Sequence, residues 1–248
     1  MNITVFFTIL IATYNVKSTF SQCIKSLNSQ TFLDYEVIVS DGGSNDGTLL
    51  LINDEHIKNL AWFKSMKDDG IYNALNEGLK HANGRWLIVL GADDKLASPN
   101  SLAETYNIIN YFDINNKVGL LYSNIYLNNA SSIRPKIYPK PDIFSKMYSG
   151  GPFFHHQSVL INRAIVDADL HFNEEYKIHS DYDLMLRVAH KYGFNKIECF
   201  TTIYSTNGFS SKLPRLVSSI FEIITIRKKL NIKPLPLRVL LIYIKRLL

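Results

Sequence analysis

The chain has 248 residues, of which 46% are hydrophobic and 12% aromatic, a composition that supplies a buried core and excludes a disordered chain. A net charge of +5 and a pI near 9.0 suit an anionic substrate or a phospholipid surface, while scattered lysines without a nucleic-acid motif argue against nucleic acid. Cys23 and Cys199 lie far apart without CxxC spacing and read as reduced, partly buried thiols of a cytosolic protein.

The first apolar run, within Thr4–Thr13, has no basic residue before it, since Lys17 is the first lysine. It is also too short to cross a bilayer, so it is expected to be a buried strand rather than a secretion signal. Further strands are predicted over Tyr35–Asp41, Leu60–Lys64 and Trp86–Leu90. Helices are predicted between them over Ser18–Asn28, Asp46–Asn53 and Ile71–Ala82. Strand and helix alternating at this spacing imply an α/β fold, with a mostly parallel sheet covered on both faces. Ligands of such sheets bind beyond the carboxyl ends of the strands. The four strands end on Thr13-Tyr14-Asn15, Asp41–Asp46, Asp68-Asp69-Gly70 and Gly91–Asp94, so acidic and amide groups collect at one edge.

Beyond Phe112 the pattern changes. Strands are predicted over Gly119–Leu127 and Ile133–Tyr138, and Pro135, Pro139 and Pro141 break regularity up to a Gly150-Gly151-Pro152 hinge. Asp181–Tyr192 has the periodicity of an amphipathic helix, Phe194–Tyr204 reads as a strand, and Pro214–Leu230 and Pro234–Leu248 read as closing helices. The simplest division is a nucleotide-binding half over 1–112, an acceptor-binding half of the same domain over 113–205, and a C-terminal helical extension over 206–248.

Seven segments in order carry a resemblance: ILIATYN (Ile9–Asn15), SLNSQTF (Ser26–Phe32), VIVSDGGSNDGT (Val37–Thr48), DDGIYNALNEGLKHANG (Asp68–Gly84), LIVLGADD (Leu87–Asp94), HQSVLINR (His156–Arg163) and SDYDLMLR (Ser180–Arg187). Together they resemble the inverting glycosyltransferases of GT-A fold, family 2-like, to which many makers of bacterial surface polysaccharides belong. The resemblance implies a Rossmann-like sheet and a donor that is a nucleotide-diphosphate sugar, with UDP the usual nucleotide. It implies transfer with inversion to a glycan or lipid-linked sugar acceptor, and a divalent Mn²⁺ or Mg²⁺. Lipopolysaccharide, O-antigen or capsule synthesis is the expected setting, in the cytoplasm or peripherally on the inner face of the membrane.

Breaking a sugar–phosphate bond builds negative charge on the diphosphate, which a cation held by carboxylates neutralises. Asp93 and Asp94 are the natural holders, and by resemblance one ligates the metal while the other meets the ribose or a metal-bound water. Many relatives have Asn or Asp where this chain has Gly91. The resemblance places Asp41 on the base or ribose, Thr13 and Asn15 in the base pocket, Asp69 at the frame of the donor, and His156 at the diphosphate or metal. Asp46 is expected to cap the helix that begins there. Tyr72 and Asn76 share a helical face and serve either the donor or packing. Asp181 stands where the family supplies its base, at a helix start that favours the ionised carboxylate, with Asp183 as a structural partner. Arg163 and Arg187 are expected to pair with local acids.

Pro234–Leu248 is apolar apart from Arg238, Lys245 and Arg246, and follows Arg227, Lys228, Lys229 and Lys233. Such a segment lies on an anionic membrane or packs against protein. A non-catalytic nucleotide-sugar-binding or scaffold subunit is the alternative function, and the retention of Asp41, Asp93, Asp94 and Asp181 argues against it. A nucleotidyltransferase needs a Gly-rich basic loop after the first strand, and a dehydrogenase needs GxGxxG there; Thr13–Lys17 offers neither.

Overall fold

In the computed structural model, residues 3–53, 55–114, 117–129, 131–139, 155–206, 216–234 and 236 are described. The strands are β1 (Val5–Thr13), β2 (Tyr35–Asp41), β3 (Leu60–Ser65), β4 (Gly84–Val89), β5 (Lys95–Leu96), β6 (Leu120–Asn128), β7 (Ile133–Lys136), β8 (Val159–Asn162) and β9 (Phe194–Ser205). The helices are α1 (Lys17–Asn28), α2 (Ile71–Leu79), α3 (Ser101–Tyr111), α4 (Arg163–Val166, a single turn), α5 (Ser180–Tyr192) and α6 (Leu216–Lys229). The predicted Pro141 and Gly150–Pro152 breaks and the Pro234–Leu248 helix fall largely outside the described residues.

One sheet runs in the order β3-β2-β1-β4-β8-β6-β9-β5, with β7 on β6. Every pairing among β1 to β4 is parallel. β8 then runs antiparallel between β4 and β6, and β9 runs parallel to β6. β2 is buried along its whole length, as a central strand covered on both faces must be. β3 alternates between half-buried and exposed, as an edge strand does. The pleat divides the core: Phe7, Ile9 and Ile11 face α1 through Phe20, Cys23 and Leu27, whereas Leu10 and Ile38 face α2 and α5 through Leu75, Tyr182 and Leu186. Cys23 and Cys199 are both buried free thiols.

One expectation needs correction, and one strand was not expected. Asp46–Asn53 is not an α-helix but a 3-10 turn over Thr48–Leu51. Gly47, at φ 93°, sets the chain left-handed just before it, and the turn ends at Ile52 in extended conformation. Val159–Asn162 carries no strand prediction, yet it is a fully buried strand joining the parallel half to the rest of the sheet. Three apolar residues and Asn162 are too few to show a period of two.

The chain enters at β1, moves outward to β2 and β3, then returns to the other side of β1 as β4. The order therefore reverses between β1 and β4, where the carboxyl ends open a crevice.

Candidate active site

Register builds the first part of this edge. Thr13 pairs with Asp41 across β1 and β2, and Asp41 with Ser65 across β2 and β3. The Asp41 carboxylate accepts five hydrogen bonds: from Thr13 Oγ1 at 2.7 Å, Ser65 Oγ at 2.7 Å, Ser44 Oγ at 2.6 Å, and the backbone N–H groups of Gly43 at 3.0 Å and Ser44 at 2.8 Å. Burial pushes its pKa up, but these donors outweigh burial and hold it below the usual carboxylate value. Asp41 thus first organises the loop behind it. Asn15, in the left-handed region at φ 50°, joins that loop to β1: its N–H donates to Ser44 Oγ and its Oδ1 accepts from Asn45 N–H. Asp46 caps the 3-10 turn in place of the expected helix, accepting from Thr48 N–H at 2.9 Å, and also from Lys17 N–H at 3.0 Å at the start of α1.

Asp93 and Asp94 follow β4 across the crevice. Asp94 is buried, with Oδ2 accepting from Gln157 Nε2 and Oδ1 from Ser205 N–H, both at 2.7 Å. Burial, and then the adjacent Asp93 charge, push its pKa up to about 6. Burial also raises that of the half-buried Asp93. A Cβ on Gly91 would stand 2.4 Å from Asp94 Oδ2 and 3.0 Å from Asp93 Oδ1, so both carboxylates lean over the same glycine. No side chain fits at position 91 with Asp94 turned this way, which gives the departure from Asn or Asp there a steric meaning. Two hard-oxygen groups whose charges repel each other suit a divalent cation that shares its remaining positions with a diphosphate and water. Among the described residues no group of three or more His, Cys, Asp or Glu side chains is arranged to hold a metal.

Asp181, in the first turn of α5, meets His156: Oδ2 lies 2.9 Å from Nδ1, and Oδ1 accepts from Tyr182 N–H at 2.8 Å. Burial raises the Asp181 pKa, but His156 and the helix N–H more than reverse this, leaving it below the usual value. Burial lowers the His156 pKa, and Asp181, followed by Asp94 and Asp93, turns it upward. The imidazole therefore sits in the field of all three carboxylates. Tyr72 supports the arrangement: its hydroxyl donates to Ile178 O at 2.6 Å and lies 3.3 Å from Asp181 Oδ1, while its ring stacks on Phe172. Asn76 ties α2 to the backbone of Phe172 and to Glu174. Both residues thus pack and position. Asp69 lines a cavity of about 390 Å³ together with Tyr72, Glu174, Ile178, Ser218 and Glu222. Asp183 pairs with Arg187 at 2.8 Å, and Arg163 donates to Gly84 O, as expected of structural residues.

Several contributors escaped the sequence reading. Glu222 on α6 accepts the backbone N–H groups of Lys177, Ile178 and His179, at 2.7, 3.0 and 2.9 Å, and so fixes the loop entering α5. It is the single acid in α6, which is a signal. Ser205 offers none, because it acts through its backbone. Tyr14, 64% exposed between Thr13 and Asn15, presents an aromatic face at the crevice end of β1. Removing the clasp with Glu222→Ala should cost about 1–3 kcal/mol in a denaturant titration. It should also lower kcat while donor affinity stays within about twofold, because the β1–β4 crevice is untouched.

A family model described as glycosyl transferase family 2 matches residues 8–170, which takes in most of β1, all of β2 to β4, both carboxylates after β4, and His156. The chain belongs to this family. It is a glycosyltransferase, and the α/β sheet flanked by helices is the fold that its resemblance implies.

The transferase is 27% identical over 183 residues to a PGL/p-HBAD biosynthesis glycosyltransferase of Mycobacterium bovis, covering 73% of this chain and 68% of that one. It is 25% identical over 215 residues to the UDP-Glc:alpha-D-GlcNAc-diphosphoundecaprenol beta-1,3-glucosyltransferase WfaP of Escherichia coli, covering 84% and 82%. Among solved structures, TarS 1–349 of S. aureus in complex with UDP-GlcNAc superposes with a TM-score of 0.69 at 18% identity, over 89% of this chain and 66% of that one. The mannosyltransferase PcManGT of Pyrobaculum calidifontis, in complex with GDP-Man and Mn²⁺, gives a TM-score of 0.66 at 16% identity, over 94% and 68%. At such identities the structures speak for the fold. The transferase spans just under two thirds of the TarS chain's length.

Proposed function

We propose that the transferase moves a sugar from a UDP-sugar, with inversion and with the help of a divalent cation, to a hydroxyl of a lipid-linked sugar in surface-polysaccharide synthesis. The observation that carries this reading is the contact of His156 with Asp181 at 2.9 Å, with Asp94 and Asp93 near enough for their charges to raise the His156 pKa. The E. coli relative's name specifies a UDP-Glc donor and a diphosphoundecaprenol-linked acceptor, and the TarS structure contains UDP-GlcNAc. These support the finer assignment.

In this reading Thr13, Asn15 and the loop held by Asp41 form the floor under the nucleotide, with Tyr14 available to stack on its base. Asp93 and Asp94 hold Mn²⁺ or Mg²⁺, which when bound supplies charge neutralisation at the diphosphate. Asp69 frames the donor sugar. The acceptor oxygen bonds to the anomeric carbon as the carbon–oxygen bond to the diphosphate breaks. The nucleoside diphosphate leaves with that electron pair, and the acceptor's proton passes to Asp181. His156 keeps Asp181 ionised before transfer and contributes positive charge beside the departing phosphate. Among the described residues no helix is long and apolar enough to cross a membrane. Attachment through 234–248 at the inner face belongs to the proposal, and that segment lies largely outside the described residues.

The test is equilibrium binding of UDP-, GDP- and dTDP-sugars, with and without Mn²⁺ or Mg²⁺, followed by donor hydrolysis. Metal-dependent binding of a UDP-sugar is expected. Binding of none of the donors would return the chain to a scaffold role, and binding of GDP- or dTDP-sugars alone would replace the nucleotide.

A further inference from the structure

Helix α6 buries Ser219, Ile223, Ile226 and Arg227 against the domain. That inner face is ordinary. Its outer face is not, because a surface helix normally turns polar residues to water. Val217, Phe221 and Ile224 are 48%, 66% and 45% exposed. Their spacing of four and then three residues lines them up on one strip, about 10 Å long at 1.5 Å rise per residue. Lys228, four residues further on, continues the strip, and Lys229 and Lys233 stand exposed at the same end. Lys229 pairs with Glu175 at 3.1 Å. Lys228 and Lys233 have no carboxylate partner among the described residues. On the flank of the strip, Ser218 and Glu222 line the cavity that also touches Asp69, Tyr72 and Ile178. Glu222 is engaged by three backbone N–H groups.

We propose that the strip Val217–Phe221–Ile224, with Lys228 and Lys233, is a docking face for an anionic phospholipid surface. Aromatic and branched apolar side chains in a row, ending in lysines, form the pattern by which a helix lies in the headgroup layer. The lysines supply the charge complement. A second copy of the chain fits less well, since its matching strip offers these lysines no free carboxylate: Glu222, the single acid of α6, is already engaged by three backbone N–H groups. The orientation serves the chemistry: with the strip on the lipid, the cavity beside Tyr72 and Ile178 opens next to the surface. That benefit rests on the lipid-linked acceptor proposed above, whereas the docking itself does not.

The test is cosedimentation of the full chain with vesicles of phosphatidylglycerol and phosphatidylcholine, and with vesicles of phosphatidylcholine alone. The wild type should bind the anionic vesicles more tightly. A variant combining Val217→Ser, Phe221→Ser and Ile224→Ser should lose at least about tenfold in vesicle affinity. Lys228→Glu should weaken binding to anionic vesicles selectively. UDP-sugar binding and hydrolysis in solution should be unchanged in all variants, which reads the proposed function separately from the docking. Equal binding by wild type and the triple variant, equal binding to both vesicle types, or no binding by the wild type overturns the proposal. So does a dimer in sedimentation velocity that Phe221→Ser dissociates.

Discussion

Replacing Asp181 by asparagine should lower kcat by about 10²–10⁴-fold, the usual contribution of a positioned general base, with donor affinity unchanged. The amide keeps the size of the side chain and can still accept from Tyr182 N–H, so the start of α5 should hold. What disappears is the proposed acceptor of the transferred proton and the anionic partner of His156, 2.9 Å away. The imidazole gives an independent readout. Asp181 is the first cause that turns its pKa upward against burial, so in Asp181→Asn the His156 titration followed by NMR should move down. A loss of kcat without that movement would mean the two groups do not face each other in solution. The signs also define where the pair is intact. His156, with its folded pKa raised, contributes stability that is full below its ordinary value near 6.5 and is lost as pH rises through the raised value. Asp181, with its folded pKa lowered, contributes stability present above its ordinary value and lost as pH falls through the lowered one.

The second large effect is expected at Asp94. Asp94→Asn should weaken Mn²⁺ binding by at least about 100-fold, since a ligand is lost and second-shell losses alone reach about 10–100-fold. Metal-dependent donor binding should fail with it. The wild type should show a pH signature as well. Because burial and Asp93 push the Asp94 pKa up to about 6, a proton competes with the cation below that pH, and affinity should fall about tenfold per pH unit there. A raised carboxylate pKa has the opposite sign from the Asp181 case for the metal-free protein. Ionising Asp94 opposes folding, so metal-free stability should fall as pH rises from the ordinary carboxylate range through about 6, and Mn²⁺ should restore it. Isothermal titration of Mn²⁺ at pH 5 to 8, with thermal melts alongside, checks both; pH-independent affinity would remove the carboxylate pair from the metal's shell.

The parts of this molecule that could be read from the sequence were those written in runs. Val5–Thr13 and Tyr35–Asp41 are largely apolar, β-rich segments because both faces of a central parallel strand are covered, and their ends bring Thr13 and Asp41 to the edge by length alone. The carboxylates after β4 announced themselves in the same way. Val159–Asn162 did not, being buried but only four residues long. The Asp46 segment had helical composition, and the left-handed Gly47 with the side chain of Asp46 turned it into one tight turn. Asp41 reads as a ligand-facing acid in one dimension, and register makes it the anchor of its own loop. The contacts that tune the site escaped entirely. Gln157 and Ser205 reach Asp94 across 63 and 111 positions, and no local pattern encodes a hydrogen bond formed by the meeting of distant strands.

The clasp of Glu222 on residues 177–179 also sets an order of assembly. β1 to β4 and both carboxylates after β4 lie within the first 94 positions, a contiguous stretch that a ribosome finishes early. The loop that aims Asp181 is held by a side chain more than forty positions downstream, so it gains its fixed shape only after α6 has been synthesised. A growing chain therefore holds the strands β1 to β4 and both carboxylates after β4 before it can fix the loop that leads into Asp181.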